Sequence, residues 1–358
     1  MQKKILLTGG TGFIGSHIAA RLLHNGCYVY FLARHDVRFS AEERVLRSMA
    51  PLSAMQRNQY SVLECDITSD IANISLQDVD EAWHCAASLS FKDEDRIETL
   101  ATNVGGTKNL LELLDKVGVK RLHFISTAYA SGPKFNNPYE ESKSLSEELV
   151  RKWSSDSNSQ FTIYRPSIIV GDSQTGFASK FDGYYTCARS FHLIKKFLGT
   201  DLKRNPRNYD ESGVYFDGDM LHMPVAFPGL PETLVNLLPV DVAVKSIIAC
   251  SSESGMFYIT NNISIKLKKL VKMSMDVLGI CDVYVGEAPT NSSPALLRLN
   301  TQIKHASKYY SPYAFYGDCP TFNWSSTTRA LGRPIHFPIT EKFIRTILGY
   351  AIEVNFKG

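Results

Sequence analysis

The sequence predicts a doubly wound α/β domain on a parallel sheet, with a smaller C-terminal subdomain. Short apolar runs of strand length alternate with longer segments of helical period over roughly the first 170 residues, the mark of repeated βαβ units. The first run, Ile5 to Leu7, passes straight into a loop with glycines at 9, 12 and 15. A segment with Ile14, Ile18, Leu22 and Leu23 at helical spacing follows. No linker, repeat or low-complexity tract interrupts the chain.

Composition narrows the class. With 358 residues, 44% hydrophobic and 21% charged, the chain can bury a sizeable core, and a net charge of +3 is too small to argue for a nucleic-acid partner. The seven cysteines (27, 65, 85, 187, 250, 281, 319) are odd in number and scattered, with no Cys-x-x-Cys pair. This argues against a disulfide framework or a zinc site and fits a reducing compartment. The first strand begins almost at Met1, which leaves no room for a signal peptide, and no apolar run approaches the ~18 residues of a membrane span. A cytoplasmic protein without a bound metal is the expectation.

A strand, a glycine turn and a helix present bare N–H groups and a helix N-terminus to a pyrophosphate. Gly9 permits the tight turn, Gly12 lets phosphates approach the main chain, and Gly15 lets the helix lie close on the strand. Thr11, Phe13 and Ile14 share this loop and so join the cofactor-binding set. The unit is Rossmann-type.

The first helix stops at Asn25-Gly26, and Tyr28 to Ala33 reads as the second strand. The residue after it lies near the adenosine ribose. An acid there would hold a 2′-hydroxyl, whereas Arg34 pairs with a 2′-phosphate and favours NADPH. His35 and Arg38 can assist, but Asp36 is an awkward neighbour. Residues 40–59 read as helical. Ser61 to Cys65 is the third strand, ending in Asp66-Ile67, suited to the edge and face of an adenine or to a helix cap. Ala82 to Cys85 is the fourth, ending in Ala86-Ala87-Ser88, small residues across which a flat cofactor can lie. Ile97 to Val117 is a long helix with Asn103 on it, and Gly105-Gly106 in its interior implies close packing. Arg121 to Ser126 and Phe161 to Tyr164 are the fifth and sixth strands.

Ser126-Thr127 ends the fifth strand. The helix that follows opens at Pro138 and carries Tyr139 and Lys143 at i and i+4, on one face. A tyrosine hydroxyl with a pKa near ~10 is a poor acid–base group at neutral pH, and a neighbouring ammonium lowers it. The lysine can also hold a nicotinamide ribose, and the Thr127 hydroxyl can orient a substrate oxygen. Together these groups can protonate an oxyanion as hydride reaches carbon.

In order, Thr8-Gly9-Gly10-Thr11-Gly12-Phe13-Ile14-Gly15, Asp66-Ile67, His84-Cys85-Ala86-Ala87, Asn103-Val104-Gly105-Gly106-Thr107, Tyr139 to Lys143 and Tyr164-Arg165-Pro166-Ser167 resemble the extended short-chain dehydrogenase/reductases. The resemblance covers the first half of the chain. It implies Thr127, Tyr139 and Lys143 as a catalytic triad, Asn103 as the helix position supporting the lysine, and Pro166, Ser167 and nearby Ile169 beside the nicotinamide.

Phe31-Leu32-Ala33-Arg34, Ser88-Leu89-Ser90-Phe91, Ser126-Thr127-Ala128-Tyr129 and Asn236-Leu237-Leu238-Pro239-Val240-Asp241 are similar to fatty acyl-CoA reductases and to thioester reductase domains. The tail around Tyr309 to Phe322 and a closing helix, Phe343 to Tyr350, resemble that group loosely, although Phe322-Asn323 stands where Phe-Asp is expected. The resemblance implies NADPH-dependent reduction of an acyl thioester, on coenzyme A or on an acyl or peptidyl carrier protein, to an aldehyde or alcohol. A homodimer is compatible with it.

The expected division is a dinucleotide-binding domain over 1–175, rejoined by about 236–262 with a strand at Gly255 to Asn261, and a substrate subdomain over 176–235 and 263–358. Between Lys180 and Arg207, seven basic residues face only Asp182 and Asp201. They form either a lid that attracts phosphates or acidic carriers, or ordinary solvated charge. Tyr184, Tyr185, Phe191 and Phe197 line an acyl channel or belong to the core. Three other readings stay open: a reductase of free aldehydes, ketones or secondary alcohols, a nucleotide-sugar epimerase, and a non-catalytic NADP-binding sensor.

Overall fold

The computed structural model describes residues 2–52, 55–69, 71, 74–131, 135–314 and 322–357. Contacts divide the chain into two compact units. One comprises 1–167, 240–260 and 322–335, the other 168–239, 261–321 and 336–358.

The first unit is built on a seven-stranded, all-parallel sheet. Its strands are β1 (Lys4–Thr8), β2 (Tyr28–Ala33), β3 (Tyr60–Glu64), β4 (Glu81–His84), β5 (Arg121–Ile125), β6 (Gln160–Pro166) and β7 (Gly255–Ile259). They lie in the order β7-β6-β5-β4-β1-β2-β3. Order reverses between β1 and β4, and ligands of such sheets sit beyond the carboxyl ends of the strands at that switch point. The glycine loop and the Cys85–Ser88 segment both leave the sheet there.

The helices are α1 (Phe13–His24), α2 (Ala41–Met49), α3 (Arg96–Leu100), α4 (Gly106–Val117), α5 (Pro138–Ser157), α6 (Val240–Ala249) and α7 (Ser325–Leu331). β1 is apolar without alternation because helices cover both faces of the sheet, and Ile5, Leu6 and Leu7 are fully buried. One core combines Leu110, Leu111 and Leu114 of α4 with Leu122 and Phe124 of β5 and Trp153 of α5.

Two expectations change in detail. The expected long helix 97–117 is interrupted by a π-helical turn at Ala101–Gly105, where the Gly106 amide reaches back to Ala101 O. The expected helix over 40–59 is confined to Ala41–Met49, started by a Ser40–Glu43 capping box, with a short 3₁₀ turn at Arg57–Gln59. The segment 322–335 lies in the first unit, not with the C-terminal tail. Its Trp324 Nε1 donates to Thr260 Oγ1 (2.7 Å), and Thr327 Oγ1 donates to Tyr258 O (2.9 Å).

The second unit has its own core, formed by Phe191 and Leu198 of the helix Tyr184–Arg204, Leu267, Val271, Met275 and Leu278 of the helix Leu267–Leu278, and Leu299 and Ile303 of the helix Pro294–Ala306. Asn261 is fully buried and pins the helix-bearing tail, with Nδ2 donating to Phe337 O (2.6 Å) and Oδ1 accepting from Phe337 N (3.0 Å). The six described cysteines are free, and Cys319 lies outside the described residues. Among the described residues no helix is long and apolar enough to cross a membrane, and no cluster suited to a metal ion is found.

Candidate active site

The glycine loop forms the tight cradle its sequence requires. Gly9 has φ +71°, and a Cβ there would collide with the Ala86 amide; a Cβ on Gly15 would collide with Gly9 O. The loop closes through Gly12 N–H to Gly9 O (2.9 Å). Gly12 is the N-cap of α1, no side chain of the described residues caps that end, and no acid lies in its first turn. Thr11, Phe13 and Ile14 are half-buried, so the free amides of this end are not sealed off. An uncapped helix N-terminus over a glycine-rich loop fits a dinucleotide pyrophosphate.

At the end of β2, the Arg34 side chain is 67% exposed and lies 3.3 Å from Asp66 Oδ2. The awkward neighbour is accounted for. Asp36 Oδ1 accepts from the amides of Arg38 (2.8 Å) and Phe39 (2.9 Å), and its other oxygen meets Arg44 Nε at 3.3 Å. These bonds, led by that of Arg38, hold the Asp36 carboxyl below its usual range. Asp36 is thus committed to its own loop. His35 pairs with Glu64 (3.2 Å). Asp66 Oδ1 accepts from the Thr68 amide and hydroxyl (2.9 and 2.7 Å), and Ile67 lies where a Cβ on Gly106 would sit 3.1 Å from its Cγ2.

At the centre, β5 and α5 are joined by buried bonds. Asn137 caps α5, its Oδ1 accepting from Glu140 N (3.0 Å) with Pro138 in the first turn. Lys143, 2% exposed, donates from Nζ to Ile125 O (2.6 Å) and lies 4.7 Å from the centre of the Phe124 ring. Burial draws its ammonium down to about 8, against the opposing pull of Cys85 and Glu147. Ser126 Oγ donates to Glu147 Oε1 (2.5 Å), and Glu147 is held by Arg165 through Nε (2.8 Å) and Nη2 (2.7 Å). Thr127 is fixed between the Ser126 amide, which donates to Tyr164 O (2.7 Å), and the Ala128 amide, which donates to Pro166 O (2.8 Å). Thr127 Oγ1 accepts a long 3.4 Å bond from Tyr129 N, so its own proton is not spent there.

Tyr139 departs from one expectation. Its hydroxyl is pushed up, not down, by burial first and then by the charge of Glu140. The reason is geometric: the Lys143 ammonium is turned to the Ile125 carbonyl. The Phe91 ring packs against Tyr139 with centroids 5.8 Å apart.

Asn103 is 2% exposed in the π turn. Its Nδ2 donates to Ser88 O (3.0 Å) and Ser142 Oγ (2.7 Å), and its Oδ1 accepts from Ser88 N (2.7 Å). It therefore braces the helix position beside Lys143 against the segment after Ala86 and Ala87. Leaving such a buried group unpaired costs about 1–3 kcal/mol. Ser167 Oγ is buried with no hydrogen-bond partner among the described residues. An orphaned polar atom after the sixth strand fits a polar cofactor group there. Ile169 belongs to the second unit, on a short strand, Ile168–Val170, paired with Leu237–Pro239. Sequence reading assigned no role to Ser142, Ser126, Glu147 or Arg165. The signal that could have found them is polarity at positions whose spacing places them on a buried face.

Residues 5–197 match the family model for the NAD dependent epimerase/dehydratase family. The chain belongs to that family. It is an extended short-chain dehydrogenase/reductase, a group of oxidoreductase-type enzymes using a nicotinamide cofactor. Among curated proteins, a 3 beta-hydroxysteroid dehydrogenase/Delta 5-->4-isomerase of Mycobacterium tuberculosis is 30% identical over 202 residues, 50% of each chain. UDP-glucuronic acid decarboxylase 1 of Arabidopsis thaliana is 29% identical over 257 residues, 66% of this chain and 52% of the other. The chain spans about half the length of these curated relatives. Among solved structures, the terminal R domain from the myxalamid PKS-NRPS biosynthetic pathway superposes with a TM-score of 0.75 at 20% identity, covering 99% of this chain and 92% of that one. A thiolation-reductase di-domain from an archaeal non-ribosomal peptide synthetase gives 0.71 at 17% identity, covering 99% and 76%. A UDP-glucose 4-epimerase of Thermotoga maritima gives 0.63 at 18% identity, covering 98% and 99%. These likenesses establish a shared fold.

Proposed function

We propose that this chain is an NADPH-dependent reductase of an acyl thioester, carried on coenzyme A or on an acyl or peptidyl carrier protein, and that it yields an aldehyde or alcohol. The observation that carries the reductase reading is the bond of the buried Lys143 to Ile125 O, two residues before Thr127, on the helix that carries Tyr139 one turn earlier. NADPH is supported by the exposed Arg34 and by the commitment of Asp36 to its own loop.

The glycine loop and the N-terminus of α1 would hold the pyrophosphate, Arg34 the 2′-phosphate, Asp66 and Ile67 the adenine, and Ser167 a polar group near the nicotinamide. When bound, the reduced nicotinamide supplies a hydride equivalent. Thr127 and Tyr139 orient the thioester carbonyl oxygen by donating hydrogen bonds to it. Tyr139 gives its proton to that oxygen as negative charge develops, and takes it back when the hemithioacetal collapses to aldehyde and thiolate, which takes its own proton from solvent. Lys143 stabilises the phenolate in between, which requires its ammonium to turn from Ile125 O toward Tyr139.

The thioester is supported by the R-domain and thiolation-reductase neighbours and by one face of the helix Tyr184–Arg204. Arg189, Lys196, Lys203 and Arg204 are exposed on it, beside Leu193 (52% exposed) and Phe197 (57%). Basic and apolar side chains interleaved suit a phosphate-bearing or acidic carrier. Lys195 is not part of that face, since its Nζ donates to Leu278 O and Gly279 O (both 2.9 Å). Tyr185 and Phe191 are core residues rather than channel walls. A cytoplasmic location accords with the free cysteines.

A second reading, a dehydrogenase of free carbonyls or alcohols, is supported by the mycobacterial steroid dehydrogenase relative. NADPH oxidation on matched acyl-CoA and free-carbonyl panels separates the two. Thioester-dependent turnover in wild type, lost in Tyr139→Phe, is expected. Turnover of free carbonyls alone favours the second reading, and equal background in both proteins favours a sensor.

A further inference from the structure

We infer that His84, as the neutral tautomer carrying its proton on Nε2, is a positioning residue that couples the segment after β4 to the first turn of α5. The hydrogen bonds around it can be assigned by counting protons. Thr107 Oγ1 lies 2.5 Å from Asn103 O and spends its single proton there. Toward His84 Nε2, at 3.0 Å, it can only accept. Nε2 therefore carries a hydrogen, and Nδ1 is the acceptor. Thr8 Oγ1, 2.7 Å from Nδ1, donates to it and accepts from the Ala86 amide at 3.3 Å.

The path thus has one direction: Ala86 N–H to Thr8, Thr8 to His84, His84 to Thr107, Thr107 to Asn103 O. It continues through Asn103 itself, whose Nδ2 donates to Ser142 Oγ, and Ser142 in turn donates to Tyr139 O (2.8 Å). Thr8, His84, Thr107, Asn103 and Ser142 are all 2% exposed or less. At that burial each misplaced proton would leave a polar group unpaired. Burial and the charge of Lys143 draw the imidazole down to about 3, which keeps this single arrangement in place throughout the neutral range. His84 thereby connects the glycine loop, through the end of β1, to the helix that carries Tyr139 and Lys143. The inference rests on the proposed function only for what the coupled segments do, because the bonds stand whatever the substrate.

The first test is long-range 1H–15N NMR of the His84 imidazole in the full chain, assigned by loss of its signals in His84→Gln. A protonated Nε2 and an unprotonated Nδ1, unchanged from about pH 8 to about pH 6, are expected. The opposite tautomer, or titration in that range, overturns the assignment. The second test is hydrogen exchange by mass spectrometry in Thr107→Val, which keeps the side-chain shape. Exchange should rise by about 10-fold in both 85–90 and 138–146, with β2 unchanged. A rise confined to 105–109 overturns the coupling. His84→Gln, which places an amide N–H near the Nε2 position, should restore the protection of 138–146 that His84→Leu removes; equal loss in both variants also overturns it. If acyl thioesters are not the substrate, wild type is inactive on them while these readouts stand.

Discussion

The Lys143 ammonium donates a 2.6 Å hydrogen bond to the Ile125 carbonyl, two residues before Thr127, and so joins α5 to the end of β5 in the buried interior. Burial holds this lysine at about 8, below the ~10.4 of an unfolded chain. Between those values the unfolded state binds the proton more tightly, so stability rises with pH through that window. The cost of burying the charge is fully present below it. Lys143→Met should be inactive yet at least as stable as wild type near neutral pH. Denaturant titrations should show wild type gaining stability relative to the variant from about pH 8 to about pH 10. An equal pH dependence in the two proteins contradicts this account of the lysine.

Catalysis should depend on pH in the opposite sense. The lysine must be charged to stabilise a phenolate, so kcat/KM should fall as pH rises through about 8, where Lys143 loses its proton. A rate still climbing at alkaline pH would assign the limb to another group.

Arg34 makes a weak, exposed contact with Asp66, so its removal should not perturb the fold. Arg34→Ala should weaken NADPH binding by about 10-fold or more while leaving NADH binding nearly unchanged. Tryptophan or cofactor fluorescence titration measures both constants. Equal losses for the two cofactors would mean that Arg34 does not touch the 2′-phosphate.

Two glycines should respond with opposite signs. A Cβ on Gly15 would collide with Gly9 O, so Gly15→Ala should cost about 1–3 kcal/mol and abolish cofactor binding. A Cβ on Gly105 meets nothing within 4 Å and its φ is −60°, so Gly105→Ala should stabilise by about 0.5–1 kcal/mol. Urea unfolding of both variants checks the pair.

The exposed face of the helix Tyr184–Arg204 gives a substrate-dependent prediction. Lys196→Glu with Arg204→Glu should raise KM for a coenzyme A or carrier-bound thioester several-fold, more at low salt. KM for a short thioester lacking phosphate should not move. Equal effects on both would mean that the face has no part in recognising the carrier.

The strands β1 to β7 and the glycine cradle were legible because each strand is a short apolar run closed by a turn. A buried parallel sheet permits little else at that spacing. Thr127, Tyr139 and Lys143 were singled out for a different reason, their places at a strand end and on one helix face, and Asn103 only through the family resemblance. The braces behind them were not. Nothing local marks Ser126 as the partner of Glu147, or His84 as the partner of Thr107, since the members lie 21 and 23 positions apart. The π turn around Asn103 was also hidden, because it leaves the apolar spacing of the helix almost unchanged. The direction of the Tyr139 shift was misread for want of one coordinate, the orientation of the Lys143 ammonium. In the second half, short strands such as Tyr215–Asp217 and Met220–His222 are set by tertiary pairing rather than by pattern.

Product analysis tests the central claim most directly. The purified chain is incubated with an acyl-CoA panel and NADPH deuterated at the transferable position, and the products are identified by mass spectrometry. The account predicts free coenzyme A together with an aldehyde or alcohol carrying deuterium on the former carbonyl carbon, in wild type and not in Tyr139→Phe. Intact thioesters, with deuterium appearing only in alcohols formed from added free aldehydes or ketones, would contradict it.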